Sequence, residues 1–178
     1  MKNKLLIWFL VISLMASGWF LYKWQKAENI YEGKLASNLE QTTRNAGFMM
    51  GVSPAQISAD PTYIRLKLEA LSDAFAAASD MSHPEMDVSI EETDFKYLWG
   101  AHLILERNYL PIIEKLQYTD QPLSKDDEEK LMQLKTSLFE SGLIGEYEHP
   151  SATDSYMRAV KEFLRLEGAL SDVGNLKL

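Results

Sequence analysis

The chain has 178 residues, no cysteine and a formal charge of −8. All 26 acidic residues lie from Glu28 onward against fourteen basic ones, so that region carries −12, which repels phosphate backbones and argues against nucleic-acid binding. Without cysteine there is no disulfide, thiolate nucleophile or cysteine-bound zinc, and about 150 residues beyond the first apolar run suffice for one cored domain but not two.

Residues 1–4 are a short basic segment, and Leu5 to Tyr22 is a run of eighteen uncharged residues. At a rise of about 1.5 Å per residue such a helix just crosses a hydrocarbon layer of about 30 Å when lysines at its ends snorkel. Lys2 and Lys4 precede it, Lys23 and Lys26 follow, and Trp8, Trp19, Tyr22 and Trp24 are amphipathic rings suited to headgroup zones. The expectation is a signal-anchor, residues 5–22, with the lipid bilayer as its partner. A cleaved secretory signal is the competing account, with Ala16-Ser17-Gly18 supplying small residues at the cleavage site. Against it, apolar residues continue through Trp19-Phe20-Leu21-Tyr22. The flanking lysines are nearly balanced; a short basic N-terminus that stays cytoplasmic places the larger domain outside the cell membrane. Ser13 and Ser17 have small-xxx-small spacing, which predicts a weak homodimer through this helix.

Residues 23–47 read as a juxtamembrane stalk helix or a weak packing seam, with Ala27, Tyr31, Leu35, Leu39 (or Ala36), Thr42 and Ala46 on a thin, half-polar stripe and Gly47 as its stop. Phe48-Met49-Met50-Gly51-Val52 is expected as a loop plugging the bundle end. The alternative is an exposed patch that docks a membrane or partner.

Residues 48–178 are expected to form an acidic helical bundle of four or five helices. Ser53-Pro54-Ala55-Gln56 fits a capping box and Asp60-Pro61 repeats the cap-then-proline signature. Ile64, Leu68, Leu71, Phe75 and Ala78 follow as a core stripe, ending before Ser82-His83-Pro84. From about Glu91 two stripes run side by side: Leu98, His102, Leu105, Tyr109, Ile112 and Leu116, and Phe95, Trp99, Leu103, Leu110 and Ile113. That pattern predicts the central helix, kinked or split near Tyr109-Leu110 by Pro111. Thr119 to Leu123 is a turn. Ser124 caps a helix whose acidic first turn, Asp126-Asp127-Glu128, suits the helix dipole; Leu131, Leu134 and Leu138 face inward and Gly142 stops it. The last helix turns Tyr156, Val160, Phe163 and Leu170 inward. The fold class is all-α: a single transmembrane helix followed by the bundle.

The sharpest chemical pair is His102 and Glu106, whose i, i+4 spacing puts both on one helix face. The plainer account is a polar pair hydrogen-bonded in the core; a metal site would need two more ligands. Glu146, Glu148 and His149, followed by Pro150 and Asp154, match no metal signature and read as an acidic loop with Asp154 as a helix cap. His83 is a loop residue. There is no Gly-x-Ser-x-Gly elbow and no phosphate-cradling glycine loop. These observations favour a non-enzymatic membrane-anchored module that binds a protein partner or scaffolds a membrane assembly, without a cofactor. The competing readings are a small-ligand sensor with Tyr97, Trp99 and Tyr109 lining a pocket beside His102, and, behind it, a metal-dependent hydrolase.

Overall fold

The computed structural model describes the backbone of residues 2–79, 92–119, 122–145 and 152–174, and their side chains except residues 2–12, 27–32, 34–36, 92–94 and 152–153. Two units separate at residue 35, one of residues 1–35 and one of residues 36–178. The described structure is helical throughout: α1 (Lys2–Gly51), α2 (Pro54–Ala59), α3 (Pro61–Ser79), α4 (Glu92–Ile104), a π-turn (Leu105–Tyr109), α5 (Leu110–Tyr118), α6 (Lys125–Glu140), α7 (Ala152–Leu166) and α8 (Leu170–Gly174).

In the first unit, every side chain from Ser13 to Lys26 is exposed. Lys23 Nζ lies 5.5 Å from the Trp19 ring centroid, so the cation folds back over the indole. Among the described residues no helix is long and apolar enough to cross a membrane. The run Leu5–Tyr22 falls only partly among them, since its first eight side chains lie outside.

In the second unit α3 packs against α4, the π-turn and α5, while α4 also meets α7 and α8. The stripe Ile64, Leu68, Leu71, Phe75 and Ala78 is buried as its spacing requires. Phe75 stacks on Phe163 of α7 with centroids 6.3 Å apart, and burying one such ring contributes about 1.5–3 kcal/mol. Leu131, Leu134 and Leu138 of α6 and Tyr156, Val160 and Phe163 of α7 complete the core.

The caps form where the sequence places them. Ser53 and Gln56 make both bonds of a capping box, Asp60 Oδ1 accepts from Tyr63 N at 3.0 Å, and Ser124 Oγ accepts from Asp127 N at 3.2 Å. Gly142 adopts φ +79° just past α6, the left-handed conformation glycine takes without strain. Pro111 acts one turn earlier than itself. Lacking an N–H and crowding the carbonyl four residues back, it accompanies a widened turn in which Leu110 N–H bonds Leu105 O, five residues back.

Several expectations are corrected. Gly47 does not stop α1, which runs to Gly51; Phe48–Gly51 is its last turn, not a loop, with Met49 and Val52 buried. Of the two readings of this stretch, residues 39–49 follow the packing seam and not the stalk: Leu39, Thr42, Asn45, Ala46 and Met49 are buried in the second unit. Trp99 is exposed and Leu103 half-buried, so the second stripe of the central helix is buried only at Phe95, Leu110 and Ile113. Leu170 does not extend the last helix. α7 ends at Leu166, Gly168 turns the chain at φ +71°, and α8 brings Val173 onto Gly100, where a Cβ would meet Val173 Cγ2 at 2.5 Å. His83 and Pro84 lie outside the described residues.

Candidate functional site

A buried polar cluster in the second unit sits where α3 meets the end of α4 and the π-turn. Ser72 lies on the core side of α3, one residue from Leu71 and three from Phe75, and is fully buried. A hydroxyl there must find partners, because a buried polar group without one costs about 1–3 kcal/mol. It finds three: Ser72 Oγ is 2.8 Å from His102 Nδ1, 3.0 Å from Glu106 Oε1 and 3.4 Å from the His102 carbonyl oxygen. The hydroxyl has one proton. The two side-chain contacts are satisfied together when His102 Nδ1–H donates to Oγ and Oγ–H donates to the Glu106 carboxylate, which leaves the longer carbonyl contact without a proton of its own. The imidazole also lies against the Trp99 indole, with centroids 4.7 Å apart and planes 37° apart.

The expected pairing of His102 with Glu106 is thus corrected in one respect. The two share a face, but Ser72 stands between them; His102 is half-buried and Glu106 is exposed. The clue to Ser72 in the sequence is its place at the edge of the α3 core stripe, where an unpaired hydroxyl would be costly.

The order of groups differs from that of a nucleophilic triad. In a triad the carboxylate orients the imidazole and the serine faces substrate. Here the carboxylate contacts the serine, and Ser72 Oγ is enclosed between helices. Among the described residues no group of three or more His, Asp and Glu could hold a metal ion. What the arrangement does is clamp α3 to the π-turn, the point where Pro111 perturbs helical bonding.

The aromatic residues expected to line a pocket have different settings: Tyr97 is half-buried, Trp99 exposed and Tyr109 buried. Tyr97 and Trp99 are two positions apart on α4 and so face opposite ways. Lys96 Nζ lies 5.2 Å and Lys161 Nζ 5.0 Å from the Tyr97 ring centroid. Trp99 is 37% exposed beside His102. Tyr109 is buried and donates its phenol proton to Glu167 Oε2 at 2.5 Å. Burial, with the Glu167 carboxylate beside it, pushes the Tyr109 phenol far above its ordinary pKa. The other carboxylate oxygen, Glu167 Oε1, is buried without a hydrogen-bond partner.

Glu146, Glu148, His149 and Pro150 lie outside the described residues. Asp154 is exposed in the first turn of α7, which starts at Ala152, so it complements the helix dipole and is not the N-cap. Ser13 and Ser17 are exposed in the first unit.

No protein-family profile, curated protein or solved structure matches the chain.

Proposed function

We propose that this chain is a single-pass membrane protein whose helical domain serves as a non-enzymatic interaction module in a membrane assembly. The observation that carries the reading is the exposed stretch of α1. Leu14, Met15, Trp19, Phe20, Leu21, Tyr22 and Trp24 are each 53–74% exposed, and at 100° per residue they point to every side of the helix. A helix that is apolar all round needs apolar surroundings on all sides, and a bilayer supplies them. The eighteen-residue run, the flanking lysines and the Lys23–Trp19 contact fit that setting. The basic N-terminus is assigned to the cytoplasm and the acidic domain to the extracytoplasmic side. The clamp of Ser72, His102 and Glu106 supports the non-enzymatic part, because every contact in it is accounted for by helix packing.

The test is membrane fractionation of the expressed full chain. It stays in the pellet after high-salt and carbonate washing, and mass spectrometry of the recovered protein finds the Leu5–Tyr22 segment attached. Release by carbonate, or a mature N-terminus near Trp19, overturns the anchor.

A further inference from the structure

Residues 36–51 of α1 meet the rest of the second unit through a seam that is unusually polar for a buried helix face. Thr42 and Asn45 are buried beside Leu39, Ala46 and Met49. Thr42 Oγ1 donates to Asn38 O at 2.9 Å and lies 3.2 Å from Tyr156 Oη of α7. Its neighbours fare worse: Asn38 Nδ2 and Thr43 Oγ1 are buried with no hydrogen-bond partner. A helical threonine can satisfy its hydroxyl on the carbonyl four residues back, as Thr42 does; Thr43 does not. Both orphaned atoms lose hydration when the seam closes and recover it when the seam opens.

The other end of the segment is pinned. Lys135 Nζ of α6 donates to Val52 O at 2.7 Å, Phe48 makes an edge-on contact with Tyr63 of α3 at 5.3 Å, and Ser53 starts α2 with its capping box. Val52 and Ser53 are non-helical, so the chain has a joint there.

We propose that residues 36–51 form a releasable strap, which opens from its Asn38 side about the Val52–Ser53 joint while α3 to α7 stay folded. A seam with two unsatisfied groups opens more readily than the buried face of α3 at residues 64–75, where no such group is found, which puts the strap at the low-stability end of the domain. Opening uncovers the Tyr156 side of α7. The device is independent of the membrane reading, since it rests on contacts within residues 36–178.

Hydrogen–deuterium exchange with mass spectrometry on the full chain in detergent micelles tests it. Amides of residues 38–50 should exchange about tenfold or more faster than those of residues 64–75, although both stretches are helical (about 1.4 kcal/mol of easier opening). Thr43→Val, alone or with Asn38→Leu, removes an orphaned group and should slow the strap about threefold or more relative to residues 64–75. Thr42→Val, which cuts the tie to Tyr156, should speed it. Equal exchange in the two stretches, or a Thr43→Val variant whose strap exchanges as fast as before, would overturn the strap.

Discussion

Ser72→Ala tests the clamp most directly, since it removes one oxygen and leaves the helix former intact. Ser72 Oγ serves His102 Nδ1 at 2.8 Å and Glu106 Oε1 at 3.0 Å. Glu106 is exposed, so its freed carboxylate returns to water and little is lost there. His102 is half-buried, and its Nδ1 would face a methyl group; leaving such a donor unsatisfied costs about 1–3 kcal/mol. Weighing the two, the expected loss is about 1–2 kcal/mol. At about 2–4 °C per kcal/mol for a domain of this size, thermal unfolding followed by circular dichroism should shift down by roughly 2–8 °C. Replacing His102 and Glu106 by leucine in the Ser72→Ala background removes the stranded groups together and should recover much of the loss, because an apolar trio needs no hydrogen bonds. A Ser72→Ala loss below about 0.3 kcal/mol would show that the oxygen holds nothing. A stable triple variant that no longer bound a partner captured by the native chain would make the cluster a functional site and sink the clamp.

Other substitutions probe separate features. Phe75→Ala empties a fully buried ring site stacked on Phe163 and should cost about 3–5 kcal/mol in denaturant unfolding; below about 1 kcal/mol, the face is misassigned. Gly100→Ala places a Cβ within 2.5 Å of Val173 Cγ2, so α8 must shift, with a loss of about 1–3 kcal/mol and faster amide exchange at residues 170–174; unchanged exchange there would refute the close fit. Tyr109 supplies a pH dependence. Its phenol titrates higher when folded than when unfolded, so the folded state holds the proton more tightly and the stability it contributes is intact below about pH 10. Stability is lost as pH rises above that, with a slope of up to about 1.4 kcal/mol per pH unit. Tyr109→Phe should flatten the alkaline fall in melting temperature between native and variant; identical slopes would count against the buried phenol.

The sequence made most of the bundle legible because helix caps and core stripes are local signals. Ser53, Asp60 and Ser124 cap the helices they precede, and Ile64, Leu68, Leu71, Phe75 and Ala78 are buried at the spacing that one helix face demands. Pro111 was legible too, though the form of its effect was not. A missing N–H predicts a fault in the ladder, but whether it becomes a kink or a π-turn depends on what packs around it. What escaped was set by partners distant in sequence. Gly100 owes its place to Val173, 73 positions on, which lies against it and leaves no room for a Cβ. Thr42 falls on the half-polar stripe of residues 23–47, but its buried neighbour Asn45 and the orphaned Thr43 Oγ1 carry no such signal, because periodicity finds a buried face only when that face is apolar.

That last failure has a physical lesson beyond α1. Among the polar contacts that join elements of the second unit, three lie at buried side chains: Thr42 with Tyr156, Ser72 with His102 and Glu106, and Tyr109 with Glu167. Each places a directional bond between elements that apolar packing alone would allow to slide, since burial is non-directional and tolerates small shifts in register. The Ser72 cluster is satisfied in full, whereas atoms at the other two are left unsatisfied, Thr43 Oγ1 and Asn38 Nδ2 near the first and Glu167 Oε1 at the third. If register is what these bonds supply, then cutting the satisfied one should loosen α3 against the π-turn and leave the rest intact. Ser72→Ala should therefore speed exchange in residues 68–76 and 102–109 and leave residues 156–164 unchanged, because the Phe75–Phe163 stack remains. Uniformly faster exchange across the domain would mean that the oxygen contributes only to global stability and that register is held by the core itself.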